Sequence, residues 1–128
     1  MDWKARTIEK FTWAEFDDAV TYLADSLRTL RAADSRLFSN IYGVPRGGLV
    51  LAVALSHRTR IPLITSRLMI TSETLIADDI CDSGKTLSGW KNHFIVTLHH
   101  VLGATVTPNL YYALRNKDWV VYPWENNR

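Results

Sequence analysis

The chain reads as an α/β domain with a mostly parallel central sheet flanked by helices, and two observations predict it. Short apolar runs alternate with segments of helical period in the order strand, helix, strand, strand, helix, strand. The two loops densest in chemistry, 44–48 and 78–86, both follow candidate strands, at the carboxyl ends where parallel sheets take their ligands. At 128 residues the chain makes one domain, 1–128, with room for a real core.

The first element is a helix over 12–33. Thr12 can cap it and Glu15 completes a capping box. Trp13, Phe16, Val20, Leu23, Leu27 and Leu30 recur at spacings of three and four, making one apolar stripe. A strand at 38–44 leads through Pro45-Arg46-Gly47-Gly48 into a second helix at 48–57. Residues 62–65 and 74–78 are short and apolar, as buried parallel strands are. The spacing of Leu87, Trp90, Phe94, Ile95, Leu98, Val101 and Leu102 predicts a third helix over 84–102, ended by Gly103, although HFIVTL alone would pass for a strand. A strand at 106–114 follows, and DWVVYPWENNR holds a short strand and a polar tail.

Composition removes several function classes. The hydrophobic fraction of 47% and charged fraction of 22% are those of an ordinary globular domain. A net charge of +2 without a Lys/Arg run gives no stripe for nucleic acid and no patch for a membrane surface. No apolar run approaches the roughly 20 residues of a membrane span, and MDWKARTIEK is too polar for a signal peptide. The single cysteine, Cys81, cannot form an intrachain disulfide, so a reducing, cytoplasmic setting is expected. With no histidine close in sequence, Cys81 reads as a small packing residue. The four histidines predict no metal site: His99 and His100 leave their element on different faces, and His57 and His93 are isolated.

The densest chemistry is LIADDICDSGKTL, residues 75–87. Its SGKT is not a P-loop, because that motif needs glycine at position 79, where this chain has Asp79 and a charge that would repel phosphate. A sugar phosphate fits better. Backbone amides from Asp82 to Thr86 at a helix start form an anion site, with Ser83 and Thr86 adding hydroxyls and Gly84 allowing close approach. Asp78 and Asp79 would accept from vicinal sugar hydroxyls and can hold a hydrated Mg²⁺.

An apolar strand followed by DDICDSGKT resembles the phosphoribosyl-pyrophosphate (PRPP) motif of type I phosphoribosyltransferases, with Ser83 in place of the commoner threonine. IYGVPRGGLVLA is similar to that family's pyrophosphate loop. The resemblance implies a cis peptide at Pro45–Arg46, with Pro45, Arg46 and Gly47 holding pyrophosphate. DWVVYPWE resembles the C-terminal signature of the 6-oxopurine branch. That implies Trp119 stacking on the purine, Val120 reading its edge through the backbone, and Glu125 near Mg²⁺ and pyrophosphate, while Trp124 simply packs. The branch's 6-oxo contact falls on Arg115 or Lys117, with Arg115 favoured because it directly follows LYYAL.

The matches span roughly 38–125, but the mobile loop is reduced to 66–73 and the hood to the C-terminal segment. The resemblance therefore implies a minimal form: a Rossmann-like core with a much reduced hood. Its expected reaction joins PRPP to guanine, xanthine or hypoxanthine, with Mg²⁺ as cofactor. Asp78, Asp79, Asp82, Ser83, Gly84, Lys85 and Thr86 would bind PRPP, and Asp78, Asp79 and Glu125 would serve the metal. Asp82 would handle a purine proton and Arg46 the leaving group. Small-molecule substrates and a homo-oligomer, dimer or tetramer, are the implied partners. The alternative is a non-catalytic PRPP or nucleotide sensor on the same fold.

Overall fold

The structure is a computed structural model that describes residues 8–115 and 119–125. The chain runs β1 (Ile8–Lys10), α1 (Trp13–Ala33), β2 (Asn40–Gly43), α2 (Gly47–Thr59), β3 (Leu63–Ile64), β4 (Thr74–Cys81), β5 (Phe94–Val101), β6 (Leu110–Arg115) and β7 (Trp119–Val121). Short 3₁₀ turns lie at Arg67–Met69 and Leu87–Trp90. Five strands form a parallel sheet in the order β3-β2-β4-β5-β6, while β1 and β7 make a separate parallel pair. The predicted fold class is the observed one.

α1 starts as its sequence requires. Glu15 N–H donates to Thr12 Oγ1 (3.1 Å) and Thr12 N–H donates to Glu15 Oε1 (3.0 Å), closing the capping box. Phe16, Val20, Leu23 and Leu27 of its stripe are buried, whereas Trp13 and Leu30 sit at the exposed margins. The strand pleat sends alternate residues to opposite faces. Leu75, Ala77, Val96 and Leu98 pack with α1 and α2, and Ile76 and Ile95 pack with Tyr42, Leu87 and Val106 on the other face. One face of the sheet is thus covered by two helices, the other by loops and 3₁₀ turns.

The predicted helix at 84–102 is absent. Its second half is β5, whose register joins it to both β4 and β6. A helical period and a continuously buried strand look alike in a short, mostly apolar run. What decides is tertiary: Phe94–Val101 fills the gap between two strands and is buried on both faces. The strand expected at 106–114 begins only at Leu110, after Pro108, which cannot donate to a ladder. Asn109 starts it by pairing with Ile95 in both directions, through its N–H (2.9 Å) and its Oδ1 (2.8 Å). β1 had no counterpart in the sequence reading. Among the described residues, no helix is long and apolar enough to cross a membrane.

Candidate functional site

Two strands deliver the site. β2 ends at Gly43, and Val44 N–H donates to Ala77 O (2.9 Å), which ties the following turn to β4. The Pro45–Arg46 peptide is cis, as the resemblance implied. Gly47 then opens α2 directly against the second acid: a Cβ there would run into Asp79 Oδ2. A larger residue here would have to displace the Asp79 carboxylate, because the turn and the carboxylate occupy adjoining space.

Asp78 and Asp79 end the buried part of β4. Asp78 is only 8% exposed, and its Oδ1 accepts from Asp79 N–H (2.8 Å); Asp79 Oδ1 accepts from Ile80 N–H (2.8 Å). Burial first, and the neighbouring Asp79 charge second, push Asp78 up to about 8. Burial likewise raises Asp79, opposed by hydrogen bonding from Asp78 and reinforced by Glu125. Both carboxyls therefore resist ionisation, and sugar hydroxyls or a cation would offset the cost of their charge. Among the described residues no three His, Cys, Asp or Glu side chains converge on a metal position. The pair nonetheless fits Mg²⁺, which commonly takes one or two carboxylates and completes its shell with substrate oxygens and water.

Beyond the acids, Asp78–Gly84, Thr86 and Leu87 line a pocket of about 180 Å³. Gly84 has φ +88°, and a Cβ would meet Thr105 Oγ1 at 2.6 Å and Val106 N at 2.7 Å, so only glycine fits. Thr105 clamps the turn, donating to Ser83 O through its N–H (2.9 Å) and its hydroxyl (3.0 Å). Asp82 and Lys85 are exposed. The α-helix start expected here is replaced by the four-residue turn Leu87–Trp90, too short for a macrodipole. Anion binding would instead rest on the turn's amides and the hydroxyls of Ser83 and Thr86.

A second cleft of about 690 Å³ is lined by Arg46, Gly47, Val50, Asp79, Trp124 and Glu125. It brings the Arg-Gly-Gly turn, one acid of the pair and the C-terminal segment together. Glu125 is fixed by Tyr122, whose N–H donates to its Oε1 (2.8 Å). Trp124 packs as expected, flat on Tyr122 (centroids 5.0 Å apart, 4° between planes) and edge-on to Phe16 (5.4 Å). Val120 packs against the helical core. The Trp119 backbone pairs with Ile8, while its side chain, like all of Lys117, lies outside what the structure describes. Arg115, at the end of β6, is mostly buried and ion-paired to Glu9 on β1; that guanidinium holds the Glu9 carboxyl below its ordinary range.

Sequence reasoning missed Tyr122 and His99. His99 is 2% exposed, with Nδ1 2.9 Å from Tyr122 Oη, and Tyr122 Oη donates to the Asp79 main-chain oxygen (3.3 Å). Burial, then the Arg115 charge, lowers the His99 pKa to about 4, so the ring is neutral. Strict period-two alternation along 94–101 would group His99 with Ile95, away from the helices, yet its ring lies against Phe11 and Tyr122 of the helical-side core, so neither a helix nor a plain strand reading finds it.

No protein-family model matches the chain, and no curated protein matches it by sequence. Solved structures do. A purine phosphoribosyltransferase from Pyrococcus horikoshii is 29% identical, with TM-score 0.78, over 94% of this chain and 96% of that one. The Helicobacter pylori xanthine-guanine-hypoxanthine phosphoribosyltransferase is 15% identical, with TM-score 0.74, over 93% and 94%. A hypothetical protein from Neisseria gonorrhoeae with bound ppGpp, 15% identical, has TM-score 0.72 over 94% and 90%. Each likeness covers nearly the whole of both chains, reduced hood included.

Proposed function

We propose that this chain, whose fold is that of the Pyrococcus and Helicobacter purine phosphoribosyltransferases, transfers the 5-phosphoribosyl group from PRPP to guanine, xanthine or hypoxanthine. The products are the nucleoside 5′-monophosphate and pyrophosphate. One observation supports this reading: Asp79, one acid of the pair, and the Arg46–Gly47 turn line one cleft, so a ribose and its pyrophosphate can be held side by side.

In the reaction a purine ring nitrogen bonds to ribose C1′ as the bond from C1′ to the pyrophosphate oxygen breaks. Asp78 and Asp79 accept from the ribose hydroxyls, while Ser83, Gly84, Lys85 and Thr86 hold the 5′-phosphate. Pro45, Arg46 and Gly47 cradle the pyrophosphate, where the guanidinium meets the growing negative charge. Trp119 stacks on the base, Val120 reads its edge, and Arg115 or Lys117 bonds the 6-oxo group. Asp82, exposed at the mouth of the loop pocket, takes the proton shed by the purine imidazole. Mg²⁺, held by Asp78 and Asp79 with Glu125 nearby, would supply charge neutralisation for the departing pyrophosphate. Rate then comes from orientation and electrostatics. The same reading makes the protein a homo-oligomer, dimer or tetramer, acting on small molecules in the cytoplasm.

A second reading, a nucleotide sensor, is favoured by the nine residues 65–73 that alone join β3 to β4 where a lid would sit, and by the ppGpp held by the Neisseria neighbour. Incubation with PRPP, Mg²⁺ and radiolabelled guanine, xanthine or hypoxanthine separates the two. Labelled monophosphate supports the transferase; nucleotide binding without any product supports the sensor.

A further inference from the structure

The tail that carries the base-binding segment stands outside the main sheet, because β7 pairs only with β1 among the described strands. Its placement over β4 must come from side chains. Tyr122 makes the connection. It is 3% exposed, its hydroxyl donates to the Asp79 main-chain oxygen (3.3 Å), and its ring lies flat on Trp124. Its amide holds Glu125. Asp79, Trp124 and Glu125 are three walls of the same cleft. His99, on β5, closes the chain: with the tyrosine hydrogen directed at Asp79, the Tyr122 oxygen accepts from His99 Nδ1–H (2.9 Å). Phe11 stands edge-on to both rings (4.9 and 5.8 Å) and shields the bonds from water.

We infer that Tyr122, oriented by His99, is a positioning residue that sets the separation between the base-side tail and the acid-bearing strand. The choice of ligands below rests on the function proposed above. Of the two walls, the tail is the softer. β4 is bonded on both sides, by β2 and β5, whereas β7 has one partner. Loss of the Tyr122 bond therefore shifts the tail and leaves the acids in place. A ligand that spans both walls feels the shift; a ligand gripped only by residues 78–86 does not.

Tyr122→Phe keeps the ring stack and removes only the hydroxyl. GMP, which bridges base wall and phosphate loop, should bind about tenfold more weakly, the worth of one buried hydrogen bond. Ribose 5-phosphate, which touches only the loop, should change by less than about twofold. His99→Asn, whose amide reaches the place of Nδ1, should keep GMP affinity within about twofold, while His99→Leu should follow Tyr122→Phe. Calorimetric titration of each variant with both ligands, well below its Tm, reads the split. Equal weakening of the two ligands overturns the positioning role, as does unchanged GMP affinity in Tyr122→Phe and His99→Leu. A wild type that binds no GMP overturns the functional reading itself, a separate result.

Discussion

Asp78 is buried one residue from a second carboxylate, and burial with that neighbouring charge pushes its pKa up to about 8. The fold thus favours the protonated form, while an unfolded aspartate ionises near 3.8. Its contribution to stability is fully present below that value and is lost as pH rises through about 8. His99 has the opposite sign: its pKa falls from 6.5 to about 4, so its contribution is present above 6.5 and lost as pH falls toward 4. Between about pH 6.5 and 8 His99 no longer titrates, and Asp78, beside the likewise raised Asp79, dominates. Metal-free protein should therefore melt higher at about pH 6.5 than at about pH 8.5. Asp78→Asn should abolish that slope and raise Tm at the upper pH by about 3–8 °C, while losing PRPP binding. Identical, pH-independent melting of wild type and variant in chelator would contradict the buried-charge account. Asp82, by contrast, is exposed. Asp82→Asn should lower turnover at least about tenfold with GMP affinity nearly intact; steady-state rates at saturating substrates check it, and an unchanged rate would take Asp82 out of the chemistry.

The tail shows how one element divides its aromatics between packing and binding. Trp124 lies on Tyr122 and touches Phe16 and Trp13, so Trp124→Ala should cost about 2–3 kcal/mol of stability, seen as a lower Tm. Trp119→Ala should instead weaken GMP binding by about 1–3 kcal/mol with little change in Tm. Swapped phenotypes in calorimetry and thermal melts would reverse the assignments. Elements were legible in sequence where local chemistry determined them. The capping box and stripe marked α1, and Arg-Gly-Gly and the paired acids marked two loops whose conformation depends on those residue types. β5 was not legible, because its mostly apolar run also fits a helical period and its identity lies in β4 and β6 on either side. The His99–Tyr122 bond joins residues 23 apart across two elements, and no local pattern announces it. Calling β5 a helix also put an α-helix start at residues 82–86, where the structure has a glycine turn clamped by Thr105 and then a four-residue 3₁₀ turn.

Across the whole molecule, the candidate site residues gather where β2 and β4 end: the Arg-Gly-Gly turn, the acids and the loop 82–86, with Trp124 and Glu125 of the tail beside Arg46 and Asp79. Between β3 and β4 the chain has only residues 65–73, a segment whose Leu68 and Met69 are exposed to solvent. A lid's task is to exclude water while the ribose carries charge. With so short a cover, water should compete with the base, and PRPP should be hydrolysed at a measurable fraction of the transfer rate. A neighbouring subunit that supplied the missing cover would make that fraction depend on protein concentration. The decisive measurement is pyrophosphate release from PRPP and Mg²⁺, with and without saturating guanine, at protein concentrations spanning any subunit dissociation. The account predicts release strongly stimulated by guanine, matched by GMP formation, over a slower base-independent background. Release that guanine does not stimulate, with no GMP formed, would contradict it.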